Sequence, residues 1–158
     1  MTRIAISGHR GLPPDTAELV ATELRAVLGE EGSPITGLSC LADGADQIFA
    51  RVVLDLGGAL EAVVPAQRYR EALPDEAQDR YDELVRHAAE VHRLPFVEST
   101  SEAHMAAGRH LLDDADTLVA VWDGLPARGH GGTADVVAEA LARGIRVRVV
   151  WPAGAHRD

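Results

Sequence analysis

Short apolar runs alternate along this chain with longer stretches in which apolar residues recur every three to four positions. Residues 4–7 form the first run, and its lack of polar breaks predicts a strand buried on both faces. Pro14 and Asp15 then open a helix that places Val20, Leu24, Val27 and Leu28 on one side. A second strand is predicted over 35–41. The clearest helical pattern follows it, with Ala45, Ile48, Phe49, Val52, Val53 and Leu56 on one face and Gly57-Gly58 as its stop. A third strand is predicted over 60–65 and a polar helix over 74–90, with Ala77, Tyr81, Leu84, Val85 and Ala88 turned inward. Residues 91–97 read as a weaker strand, because Pro95 lacks an N–H and suits a sheet edge. Ser101 is placed to cap a helix through 114, strand 117–122 follows, then helix 133–143 with Val136, Val137, Ala140 and Leu141, and strand 146–151. The last residues read as a loose tail.

Strands alternating with helices predict an α/β fold: one Rossmann-like domain spanning 1–158, with a parallel sheet of about six strands and helices on both faces. The first strand belongs in the centre, between the second and the strand at 117–122. Ligands of such sheets lie off the carboxyl ends of the strands, where the strand order reverses.

Two glycine-bearing turns fall at such ends. Ser7-Gly8-His9-Arg10-Gly11 follows the first strand, and Gly129-His130-Gly131-Gly132-Thr133 precedes the last helix. Glycines allow close backbone approach, helix starts attract anions, and Arg10 can hold a phosphate through two N–H groups. Thr133 suits an N-cap. Together they predict a phosphate-binding crevice. The first turn is G-x-x-G rather than the dinucleotide G-x-G-x-x-G, which argues against a dehydrogenase; an ordinary strand-to-helix turn is the competing reading, and a plain surface loop competes at the second site.

Asp43 and Asp46, in Ala42-Asp43-Gly44-Ala45-Asp46, have the spacing of a helix cap, or one of them accepts hydrogen bonds from ribose hydroxyls. Asp123 has the same choice between turn and ligand. Arg68, Arg70, Arg109 and Arg128 could jointly focus positive potential on the crevice.

Composition narrows the chemistry. All fifteen basic residues are arginines, and the absence of lysine excludes a P-loop and a pyridoxal Schiff base. A formal charge of −10 argues against general nucleic-acid binding. The seven histidines and single Cys40 show no metal-ligand spacing, so no metal is expected. Cys40 has no internal disulfide partner, no segment is as apolar as a membrane span, and Met1-Thr2-Arg3 runs straight into a strand; a cytoplasmic protein is expected.

Ile-Ser-Gly-His-Arg, Ala-Asp-Gly-Ala-Asp, Gly-Gly-Thr-Ala-Asp-Val-Val and Arg-Gly-Ile-Arg-Val, in that order, resemble the SLOG superfamily, which takes in the LOG phosphoribohydrolases, the DprA-type proteins and the YpsA-like proteins. The likeness covers roughly 3–152 and is nearest the YpsA-like branch. It implies a Rossmann-like sheet binding a nucleotide or nucleotide derivative, often as a sensor, with no required cofactor and with self-association into a homo-oligomer. Carried over by position, Gly8 and Arg10 belong to the first turn, Gly44 to the second, and Gly132 with Thr133 to the phosphate loop. The LOG enzymes read G-G-x-G-T-x-x-E there, with a catalytic glutamate. Here that place is Val136, and Asp135 stands one residue early, about 100° around the helix. A LOG-like release of base from nucleoside monophosphates would have to use Asp135 and Arg109 instead. Single-stranded DNA binding of the DprA kind is disfavoured by the charge and by the few aromatics.

Overall fold

A computed structural model describes residues 2–32, 34–126 and 132–157. Twelve elements follow in order: β1 (Thr2–Gly8), α1 (Pro14–Glu30), β2 (Ile35–Ser39), α2 (Ala45–Asp55), β3 (Ala59–Ala66), α3 (Tyr69–Ala72), α4 (Asp75–His87), β4 (Glu90–Phe96), α5 (Ser101–Asp113), β5 (Thr117–Val121), α6 (Thr133–Ala142) and β6 (Arg146–Val150). The strands form one sheet in the order β4-β3-β2-β1-β5-β6, parallel at every pairing. The predicted Rossmann-like architecture and the central place of β1 are both present.

Side-chain alternation along β1 and β5 divides the core between two faces. Ile4, Ile6, Val119 and Val121 pack with Val20, Leu24, Phe49 and Val53 of α1 and α2. Ala5, Leu118 and Ala120 pack with Met105, Leu111, Leu112, Val136 and Ala140 of α5 and α6. A third cluster joins Leu60, Ala62 and Val64 of β3 to Tyr69, Ala77, Tyr81 and Leu84. β4 is the exposed edge, and the ladder with β3 shifts register between Val64 and Ala66, opposite Pro95.

Several local expectations are corrected. β2 stops at Ser39, because Leu41 turns the chain with φ +59. The loop after β3 contains the short helix α3, and the helix before β4 ends at His87. Thr100, not Ser101, caps α5, its Oγ1 accepting from Ala103 N at 3.1 Å. Leu56 and Leu141 are exposed rather than inward. The tail is not loose: Thr16 Oγ1 donates to His156 O (3.1 Å) and accepts from His156 N (3.0 Å), which ties it to α1.

Candidate functional site

Strand order reverses between β1 and β5, so their carboxyl ends diverge toward helices on opposite faces. A cleft of about 310 Å³ opens there, within the range of small-molecule sites. Of the sequence-predicted residues, Ser7, Gly8, His9, Arg10, Asp46, Gly132 and Thr133 line it. Arg10 and Thr133 thus share one crevice. Gly131 and Arg128 lie outside the described residues.

The β2–α2 loop is pinned before it reaches the cleft. Leu41 N donates to Ser39 Oγ (3.0 Å), which donates to Asp46 O (3.1 Å). Gln47 Nε2 donates to Leu41 O and Ala77 O, both at 3.1 Å, while its Oε1 accepts from Arg80 Nε. These bonds hold Leu41 in a conformation costing about 1–3 kcal/mol and fix the direction of Asp46. Sequence reading missed both Ser39 and Gln47, which carry no motif.

Packing by itself requires glycine at two of these positions. A Cβ on Gly8 would collide with Ala45 Cβ and come 2.9 Å from Val121 Cβ. Gly44 has φ +92, and a Cβ there would lie 2.7 Å from His9 O and 3.1 Å from Gly11 N. Glycine therefore lets the β1–α1 and β2–α2 loops touch backbone to backbone, with Ala45 N donating to His9 O at 3.2 Å.

The three acidic candidates separate. Asp43 accepts from Arg10 Nε (2.9 Å) and Nη2 (2.8 Å) through the same Oδ1. It is an ion-pair partner, not a cap; Gly44 is the N-cap of α2 and makes no side-chain cap bond. Asp123 accepts from Leu125 N (3.0 Å) and pairs with Arg157 (3.4 Å) and His9 (3.2 Å). Burial works against its charge, but the Leu125 amide and His9 and Arg157 outweigh that and hold it below the usual carboxylate range. Asp123 therefore braces the cleft from behind.

Asp46 differs from both. Its Oδ2 accepts a long bond from Ala42 N (3.4 Å), and its buried Oδ1 has no partner. Burial pushes its carboxyl up to about 7; the Ala42 amide and Arg10 pull the other way, and Asp43 adds to the rise.

His9 acts as a strut. Its ring is buried, edge-on to Trp151 at 5.5 Å, with Nε2 3.0 Å from Asp123 N and 3.2 Å from Asp123 Oδ1. Nε2 thus faces both the backbone amide and the carboxylate of Asp123. His9 N also donates to Val121 O (3.1 Å), joining the ends of β1 and β5.

On the opposite wall, Gly132 is the N-cap of α6 with extended backbone (φ −73, ψ 176) and no side-chain cap, so Thr133 is the first helical residue rather than the cap. Thr133 and Ala134 line the cleft, and the amides of a helix's first turn have no intrahelical acceptor. The distal wall carries Tyr69, His104 and Cys40. Burial and the Arg10 charge lower the His104 pKa; its Nε2 lies 2.8 Å from Ser99 Oγ. Burial and then Asp46 raise the Cys40 thiol well above its ordinary value, leaving it neutral. Trp122 lines the cleft with Nε1 donating to Leu125 O at 2.8 Å. Arg157 reaches the cleft from the tail, which no sequence signal announced.

Among the described residues the expected arginine focus does not form. Arg68 pairs with Glu98, Arg70 with Asp82 through two 2.7 Å bonds, and Arg109 with Glu139. None of the three lines the cleft, and neither does Asp135. The substitute catalytic pair Asp135 and Arg109 is not assembled at the site.

Among the described residues, Glu61, Glu90 and His92 bring their ligand atoms within 4.8 Å of one another on the β3–β4 edge. Arg3 already holds Glu61 with bonds of 3.0 and 3.1 Å, and a cation there would face that guanidinium. No described helix is long and apolar enough to cross a membrane.

No family profile and no curated protein matches the chain. Solved structures do. DNA processing protein A from Streptococcus pneumoniae superposes with a TM-score of 0.69 at 18% identity, covering 98% of this chain and 52% of that one. The single-stranded-DNA-binding DNA processing protein A from Helicobacter pylori gives 0.70 at 15%, covering 98% and 67%. The molybdenum cofactor binding protein from Rippkaea orientalis gives 0.63 at 15%, covering 96% and 77%. This chain has their fold. It is a Rossmann-like parallel sheet between two layers of helices, and the chain spans about half the length of the Streptococcus protein.

Proposed function

We propose that the cleft binds a nucleotide or nucleotide derivative, with its phosphate on the Thr133 and Ala134 amides and Arg10 close by, and that the protein is a sensor or accessory module of the cytoplasm. One observation carries the reading: the start of α6 and the exposed Arg10 line the same cleft as Asp46, whose buried Oδ1 has no protein partner. The fold supports it too, since a protein of the same architecture binds the molybdenum cofactor. Base-releasing hydrolysis has less support, because Asp135 and Arg109 do not line the cleft and Val136 offers no acid. DNA binding is opposed by the net charge of −10. Self-association belongs to the same reading and is checked by sedimentation.

Native mass spectrometry of the purified protein tests for a retained ligand. A thermal-shift panel of AMP, ADP, cyclic nucleotides, NAD, ADP-ribose and the molybdenum cofactor follows, since a ligand of the folded form raises its melting point. Thr133→Pro is the sharp variant. Proline suits the first helical position and the extended Gly132 before it, yet removes one amide donor. Loss of one charge-assisted bond of about 1.5–3 kcal/mol weakens binding roughly tenfold or more. Thr133→Val, which keeps the amide, should not. Equal affinity of the Pro variant and the native protein would remove the phosphate from this helix.

A further inference from the structure

Of the three carboxylates around the cleft, two are fully engaged: Asp43 holds Arg10, and Asp123 holds Leu125 N, His9 and Arg157. Asp46 alone presents a buried oxygen with no partner, in a side chain that lines the cleft and is only 8% exposed. An orphaned polar atom so placed costs about 1–3 kcal/mol unless something completes it. Its other oxygen is fixed by Ala42 N, so Oδ1 is the atom left for a guest.

Accepting that this is a nucleotide site, on which the inference rests, we propose that Asp46 meets the ligand as a neutral carboxylic acid. Its Oδ1–H donates to an acceptor on the heterocycle, a ring nitrogen or a carbonyl oxygen. Asp46 then sets which ligands fit: phosphate esters bearing such an acceptor bind better than sugar phosphates alone.

Burial favours the neutral form of Asp46, against the pull of the Ala42 amide and Arg10, and Asp43 adds to the rise. From the β1–α1 turn comes Arg10, whose guanidinium is already paired by Asp43. Asp43 itself stands on the same loop as Asp46. Cys40, at the end of β2, is a neutral thiol, and Tyr69 of α3 has its hydroxyl pKa raised well above the ordinary value, first by burial. His104 of α5 stands edge-on to Tyr69 at 5.8 Å, its pKa lowered by burial and Arg10, so it adds little positive charge near neutrality. Burial pushes the carboxyl up to about 7. A phosphate arriving at α6 brings like charge into the same space and moves the balance further toward the acid.

Calorimetric titration with AMP and with ribose 5-phosphate between pH 6 and pH 8 tests this. Binding that requires the acid falls about tenfold in affinity over that range, because the neutral fraction drops from roughly nine-tenths to roughly one-tenth. Ribose 5-phosphate shows no such fall. In Asp46→Asn, Ala42 N keeps the side-chain oxygen, so the amide NH₂ takes the place of Oδ1 and imitates the acid. That variant keeps its affinity for AMP at pH 6 within about threefold, within the usual cost of one imperfect hydrogen bond, and loses the fall toward pH 8. The phosphate's own second ionisation near about pH 6 strengthens binding as pH rises in both proteins, and the variant's profile subtracts it. Melting curves establish that the variant is folded.

A flat or rising AMP affinity in the native protein after that subtraction overturns the proposal. So does loss of pH 6 binding in a folded Asp46→Asn. If ribose 5-phosphate binds and the AMP profile ignores Asp46, this inference is lost and the nucleotide reading stands. If neither probe binds at any pH, both are lost.

Discussion

Replacing Gly44 by alanine probes the contact that brings the two cleft loops together. The residue has φ +92 and ψ −131, a backbone that side chains with a Cβ resist, costing about 1–3 kcal/mol. The new Cβ would lie 2.7 Å from His9 O and 3.1 Å from both Arg10 Cα and Gly11 N. Those are backbone atoms and cannot rotate away, so the loops must separate. Such overpacking costs about 1–3 kcal/mol, and loss of the 3.2 Å bond from Ala45 N to His9 O adds about 0.5–1.5. The sum, roughly 2.5–7.5 kcal/mol, is a large part of a typical domain's stability and lowers the melting temperature by about 5–30 °C. The control is Gly57→Ala, where φ is +79 but no atom lies within 4 Å of the added carbon. That change carries backbone strain alone, about 1–2 kcal/mol. Urea melts of both variants give the comparison. If Gly44→Ala loses no more than Gly57→Ala, the loop contact does not require glycine, and the account of how Arg10 is positioned fails.

Asp46 also contributes a pH dependence to the stability of the fold. Its folded pKa of about 7 lies above the ordinary 3.8, so the folded state binds the proton more tightly and stability declines as pH rises from 4 through 7. Relative to their difference at pH 4, Asp46→Asn should gain on the native protein by up to about 4 kcal/mol at pH 8, read from urea midpoints at each pH; no gain refutes the burial argument. Thr16→Val removes both bonds to His156, costing about 1–3 kcal/mol and speeding hydrogen exchange at His156; unchanged exchange would show the tail held by other means. Arg109→Ala should leave AMP affinity within about twofold and stability within about 0.5 kcal/mol, since it removes only an exposed pair with Glu139. A tenfold loss of affinity would return Arg109 to the site.

Sequence alone determined the sheet. The uninterrupted apolar runs of β1 and β5 and the helical spacing of α1 and α2 are local properties, because periodicity records which faces are buried. From alternation came the parallel order, and from that the place of the cleft. Pro95 likewise announced the edge strand, since a missing N–H is a fact about one residue. Roles within the cleft were decided only by tertiary structure. Asp43, Asp46 and Asp123 are alike in sequence, and what distinguishes them is partners from far along the chain: Arg10 for the first, Arg157 and His9 for the third, nothing for one oxygen of the second. The arginines looked available until Glu98, Asp82 and Glu139 were found beside them. Gly8 and Gly44 were legible as necessary, while the reason, a close approach of backbones and of Ala45, was not. Hydrogen bonding and burial depend on distances in space, and a pattern along the chain encodes the exposure of each position far better than the identity of its neighbours.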